Sequence, residues 1–374
     1  MNLKKRKYVI AATGMIVAYK YMSKRKTRKV IQPHITKQDT IMRQAIPAEQ
    51  RLIATLRFLA TGRSYEDLKF STGIAAQTLG YIIPETCRAI YEVLRDSYMQ
   101  MPQTKNDWKK VANGFKERWQ FINCGGCIDG KHIRIVQPAN SGALYYNYKN
   151  YYSIVLMVIV SYNYEFIYVD IGKQGRLSDG GFIQASTFYT NLQCQTLDLP
   201  KSDECDEGYN FVFIGDAAFG LEERILKPFS QQSLTHEKRI YNYRLSRARN
   251  VVENAFGLIS NRFRILHTAI NVNVQDTNYI VLAICTLHNF LMRNSSSYVK
   301  PSTFDTENSE NHDIVPGTWR QEIDHNSQLQ SLQNNNNVKN SSVASKNNRN
   351  NYLEYFNGKG KIAWQEEMIR RGKS

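Results

Sequence analysis

The chain has 374 residues, with 49 Lys and Arg against 33 Asp and Glu and a formal net charge of +16. At 42% hydrophobic and 11% aromatic it is too apolar for disorder throughout, and its length suits one large α/β unit beside a smaller helical one. The basic excess points to a polyanionic partner, and six scattered cysteines exclude the dense disulfide framework of a small secreted domain.

Residues 1–43 read as a basic arm. Its apolar stretch, Tyr8 to Tyr19, is too short to span a bilayer, which needs about 20 residues. The KRKTRK cluster from Lys24 to Lys29 is either a nuclear import signal or a phosphate-gripping patch, or simply a solvated charge run. Residues 44–118 read as a helical unit. Leu52, Leu56 and Leu59 recur at helical spacing until Gly62, Ser64 caps a second start, and Gly73 separates it from a third helical stretch reaching about Arg95. Pro84 is expected to open a new helix at its first turn rather than to lie inside one. This grammar is that of a helix-turn-helix, with Gln77 and Thr78 facing DNA; three helices that only support the next domain are the alternative.

Residues 119–294 change texture. CIDGKHIRIVQP, YYSIVLMVIVSY, FIYVDIG and FVFIGDAAFG are short Ile-, Val-, Tyr- and Phe-rich runs bounded by Gly, Pro and Asn, and are predicted strands. FIQASTFYTNLQ, between the third and fourth, has helical spacing. After the fourth come LEERILKPF, a long helical stretch from about Leu245 to Arg264, and a last helix from about Gln275 to Arg293. Together they specify a mixed sheet flanked by helices. Cys124 and Cys127 form a lone Cys-x-x-Cys with no second pair at zinc-ribbon spacing, and read as small buried hydrophobes. Residues 295–374, rich in Ser and Asn, are expected to remain a low-complexity tail.

Three acidic residues stand out by position. Asp129 follows an apolar run and precedes Gly130, Lys131 and His132; Asp216 ends the apolar strand FVFIGD, where an unpaired carboxylate is costly unless it faces a cleft or an ion. Glu253 shares a helix face with Arg249 and Phe256, and the plain alternative for it is a surface ion pair with Arg249. Phosphodiester cleavage needs several such oxygens converging on hard divalent cations.

The segments IDGKHI, GDAAFGL and SRARNVVENAFGLISNRFRIL closely resemble the successive signatures of the PIF/Harbinger transposases and the nucleases derived from them. LRFLATGRSYEDL, YYNYKNYYS and VDIGKQGRLSDGGF extend the likeness over roughly Leu52 to Asn294. The resemblance implies an RNase H-like fold and a catalytic DDE triad at Asp129, Asp216 and Glu253, acting with Mg²⁺ or Mn²⁺. It implies a further metal-binding carboxylate at Asp179, where an Asp-Gly turn before a helix is an equal alternative. Lys131, Lys149, Arg176, Arg247 and Arg249 are candidate phosphate contacts, and Tyr145, Tyr146 and Tyr148 candidate stacking groups. The expected activity is DNA endonuclease or transposase-type cleavage in the nucleus, with the cytoplasm as a second location, no membrane association, a Myb-like or related DNA-binding partner, and a homo-oligomer as a further option. A catalytically silent, domesticated scaffold is the main alternative, and an RNA nuclease the third.

Overall fold

A computed structural model describes residues 25–176, 179–308, 310–322, 329–331 and 341–372; the apolar N-terminal stretch and the side chains of the KRKTRK cluster lie outside the described residues. The first elements are helices α1 (Arg25–Ile35), α2 (Ala48–Thr61), α3 (Tyr65–Thr72), α4 (Ala76–Tyr98) and α5 (Lys105–Trp119). Gly62 ends α2 in the left-handed region at φ 64, and a Cβ there would meet the Arg264 carbonyl oxygen at 2.8 Å, so the position is closed to other residues twice over. Ser64 Oγ accepts from the Asp67 amide at 3.2 Å and starts α3, as its sequence predicts.

Pro84 departs from expectation, because α4 runs through it as one continuous 23-residue helix. A proline ring crowds the carbonyl four residues back, and that residue is Gly80, which has the widest backbone latitude. The flanking Ile82, Ile83 and Cys87 are buried, so packing overrides the local preference. Gln77 is exposed and Thr78 half-buried at the start of α4.

Strands β1 (Cys124–Arg134), β2 (Ser153–Val160) and β3 (Phe166–Gln174) follow, then helices α6 (Asp179–Gln184) and α7 (Thr187–Gln193), and strands β4 (Val212–Ile214) and β5 (Ile225–Leu226). LEERILKPF thus contributes a strand. The sheet order is β3-β2-β1-β4-β5, antiparallel among the first three and parallel from β1 to β5. Ile154, Leu156, Val158 and Val160 of β2 enter one core, while Val155, Met157 and Ile159 enter another with Trp108, Phe182 and Phe188. This period-two division buries both faces of the sheet.

The first core is completed by α8 (His236–Arg262) and α9 (Val274–Asn294). α9 packs against both α4 and β3, so the N-terminal helices share a core with the sheet. Asn289, buried on α9, accepts from the Phe166 amide at 2.9 Å and donates to the Phe166 carbonyl at 2.7 Å, pairing the start of β3 as a neighbouring strand would.

Beyond Asn294 the chain is not merely a tail. A small hairpin of β6 (Thr306–Glu307) and β7 (Ile314–Val315) leads to α10 (Thr318–Glu322), β8 (Gln330–Ser331) pairs antiparallel with β1, and α11 (Val343–Asn357) and α12 (Gln365–Arg370) follow. Tyr352 and Phe356 of α11 are fully buried, against Phe121 at 5.7 and 5.0 Å between ring centroids. The Tyr352 hydroxyl donates to the Asn210 carbonyl at 2.8 Å, and Arg244 of α8 lies 4.4 Å over the Phe356 ring. Composition hid these anchors among Asn and Ser.

Candidate active site

On β1, Cys127 and Ile133 join the core that contains α8, whereas Ile128 joins the opposite one. Strand alternation therefore turns Asp129 and Lys131 toward α8. The Lys131 ammonium lies 5.4 Å from the centre of the Phe256 ring on that helix. Asp129 is 3% exposed. Its Oδ1 accepts from the Gly130 amide at 2.8 Å; its Oδ2 has Lys131 Nζ at 3.0 Å as an ion contact outside hydrogen-bond geometry, and is buried with no hydrogen-bond donor.

Asp216 lies two residues past Ile214, the end of β4, with Oδ1 accepting from the Ala218 amide at 2.9 Å. Lys227 steadies the loop that follows by donating to the carbonyls of Ala217 and Phe219 at 2.9 and 2.6 Å. Burial, and then the charge of Asp129, raise the Asp216 carboxyl above its ordinary range; Arg249 opposes both. Half-buried Asp216 thus feels the charge of buried Asp129, 87 positions away in sequence.

Arg249 on α8 is the common neighbour. Burial alone would lower the pKa of its guanidinium, but Asp129, Glu253 and Asp216 together outweigh that and raise it. Its Nη2 donates to Glu253 Oε1 at 2.7 Å, the i,i+4 pair expected from the helix. Glu253 Oε2 has Arg320 Nη2 at 3.8 Å, and Arg320 itself grips the Asp305 carboxylate. Arg249 thus touches Glu253 and feels the charges of both aspartates, and among the described residues no group of three or more His, Cys, Asp or Glu forms a metal-binding cluster.

Residues 128–289 match the DDE superfamily endonuclease family. The match covers less than half of the chain and contains all three carboxylates as well as Asp179, at the first position of α6, whose side chain is outside the described set. No curated protein and no solved structure matches the chain. The mixed sheet with flanking helices is consistent with the DDE nuclease fold.

Among the basic residues predicted to contact phosphate, Lys131 touches Asp129 from β1 and Lys149 lies in the turn before β2. The Lys149 pKa is lowered by burial and by Lys131. Arg176 is exposed in the turn after β3. Arg247 is committed elsewhere: it is 8% exposed and donates to Glu307 and to the Trp119 carbonyl at 2.7 and 3.0 Å, a buried structural role that takes it off the surface open to a phosphate. Arg249 is half-buried and engaged by Glu253. Tyr146 and Tyr148 are exposed and Tyr145 half-buried, in a turn instead of a strand. That turn is fixed by Asn147, which accepts from the Lys149 amide at 2.9 Å and donates to Ser153 Oγ at 2.8 Å; Ser153 in turn meets His132 Nδ1 at 2.9 Å. Burial, aided by Lys149, pushes His132 down to about 4, so it is a neutral ring joining turn to strand.

Sequence reasoning missed Arg320 and Asp305, which lie in a stretch with no apolar periodicity. Only the buried Asn254, one residue from Glu253, hinted at a partner surface on that side of α8: its Oδ1 accepts from the Asp305 amide and Trp319 Nε1, both at 2.8 Å.

Proposed function

We propose that the chain is a divalent-metal-dependent DNA endonuclease of the transposase type, of the PIF/Harbinger kind, with Asp129, Asp216 and Glu253 as its DDE triad. The observation that carries this reading is the placement of Asp129 on β1 and of Asp216 just past the adjoining β4, with Arg249 and Glu253 paired on α8, within a segment similar to DDE superfamily endonucleases. The strand order, three antiparallel then two parallel, supports the RNase H-like assignment.

Two features of the aspartates favour a hard cation, although no three-ligand cluster is assembled among the described residues. Asp129 Oδ2 is a buried carboxylate oxygen with no hydrogen bond, and two mutually repelling carboxylates gain from a shared positive charge. Asp129, Asp216 and Glu253 would hold Mg²⁺ or Mn²⁺, with Asp179 as a fourth carboxylate. When bound, the metal supplies the polarisation that phosphodiester cleavage at neutral pH requires. Arg249 favours the ionised form of Asp216, the form that ligation needs. Lys131, Lys149 and Arg176 hold the phosphate backbone beside the acidic centre, where Tyr148 offers a stacking face. A Myb-like or related partner would supply target choice, and α3 with α4 a weaker helix-turn-helix contact; the location is nuclear.

One observation favours a catalytically silent, DNA-binding scaffold: Glu253 is held by Arg249 and approached by Arg320, so it must exchange an arginine for a metal. Nicking of supercoiled plasmid with Mg²⁺ or Mn²⁺ decides between them. Cleavage by the natural chain that falls to background in Asp129→Asn and Asp216→Asn supports the nuclease. DNA binding with no metal-dependent nicking, the same in all three proteins, supports the scaffold. Competition between DNA and RNA at stated salt tests the substrate class.

A further inference from the structure

β4 covers β1 only as far as Cys127, and beyond that point the same edge of β1 is paired with β8, at Lys131 with Ser331 and at His132 with Gln330. The two residues of β8 engage three side chains of the proposed backbone-binding surface. Lys131 Nζ donates to Ser331 Oγ at 2.7 Å, Lys149 Nζ donates to Gln330 Oε1 at 2.8 Å, and the Tyr148 hydroxyl donates to the Ser331 carbonyl at 3.1 Å. Lys131 also touches Asp129, so β8 sits one residue contact away from the acidic centre.

Each of these partners is an uncharged oxygen. A phosphate backbone presents anionic oxygens to the same ammonium groups, with stronger, charge-assisted hydrogen bonds. The two residues of β8 bury little themselves, Ser331 being exposed and Gln330 half-buried, and the neighbouring Leu329 is only half-buried where it packs on the first core. Its described hold on this surface is a short ladder and side-chain contacts to neutral oxygens, weaker than those an anionic phosphate makes with the same lysines. Such an occupant is displaceable.

We propose that β8 is an intramolecular competitor for the nucleic-acid backbone: it occupies the Lys131, Tyr148 and Lys149 surface in the free protein and leaves the edge of β1 when DNA binds. This rests on the nuclease reading insofar as that surface is taken to bind DNA. When a closed form must open first, the apparent affinity is reduced by the open fraction. Weakening β8 therefore tightens DNA binding without adding any contact.

The test is fluorescence anisotropy of a labelled DNA duplex in chelator at fixed salt, with the full chain. Gln330→Ala with Ser331→Ala removes the side-chain partners, and Ser331→Pro breaks the ladder. Thermal melting checks that both variants fold. Both should bind about threefold or more tightly than the natural chain, Ser331→Pro the more so, and the gain should vanish in a Lys131→Ala, Lys149→Ala background. Unchanged or weaker binding by the folded β8 variants, while Lys131→Ala with Lys149→Ala still weakens the natural chain, overturns the competitor and leaves the nuclease reading standing. Failure of every form to bind DNA overturns both.

Discussion

Asp216 carries the clearest consequence at the level of single residues. Its carboxyl is raised above the ordinary 3.8 by burial and by Asp129, so the folded protein holds that proton more tightly than the unfolded chain. The ionised group consequently costs stability, and the sign follows from linkage: the cost is absent below the ordinary value, grows as pH rises from there through the raised folded value, and is constant above it. In chelator at pH 7, Asp216→Asn should melt at a higher temperature than the natural chain, and the difference should close in acid. Added Mg²⁺ or Mn²⁺ should then raise the melting temperature of the natural chain and leave that of the variant unmoved. A variant that melts lower at pH 7 but equally in acid would mean that Arg249 more than balances the two aspartates.

The elements divide sharply in what their sequences disclose. α2, α3 and α9 were legible because caps and apolar spacing agree, and β4 because an all-apolar run ends in Asp216. α8 was read from Leu245, whereas it begins at His236: its first turns carry polar residues, and Thr235 caps the helix through the Lys238 amide at 3.4 Å. The i,i+4 pair of Arg249 with Glu253 was legible from helix spacing; the pull of Asp129 and Asp216 on the same arginine was not, since it depends on β1 and β4 meeting α8. β8 has no strand signal of its own, because Gln and Ser pair only with an edge that the rest of the fold provides. The segment around α10 is anchored instead by single buried groups. Asn254→Ala strips the acceptor from the buried Asp305 amide and from Trp319 Nε1, at about 1–3 kcal/mol for each orphaned group. Urea unfolding should show a midpoint lowered accordingly; a loss under about 0.5 kcal/mol would place that segment outside the cooperative fold.

For the molecule as a whole, the net charge of +16 makes DNA affinity a function of salt. The logarithm of the binding constant should fall linearly with the logarithm of salt concentration, and replacing Lys131 and Lys149 together by Ala should make the slope shallower by about 2. An unchanged slope would locate the phosphate contacts elsewhere, for instance on the helices before the sheet. Among the described residues no helix is long and apolar enough to cross a membrane, so the basic surface is not accompanied by a spanning segment there.

The burial of Tyr352 and Phe356 against Phe121 and Tyr241 has a temporal meaning. Those two receiving rings are translated more than a hundred residues earlier than the rings that cover them. A nascent chain emerging from the ribosome can assemble its sheet and lay α8 across it, yet it must keep a greasy aromatic face exposed until synthesis has passed Phe356. During that interval the half-made protein is a client for chaperones, and any message cut short in the Asn-rich stretch yields a product that exposes this face for good.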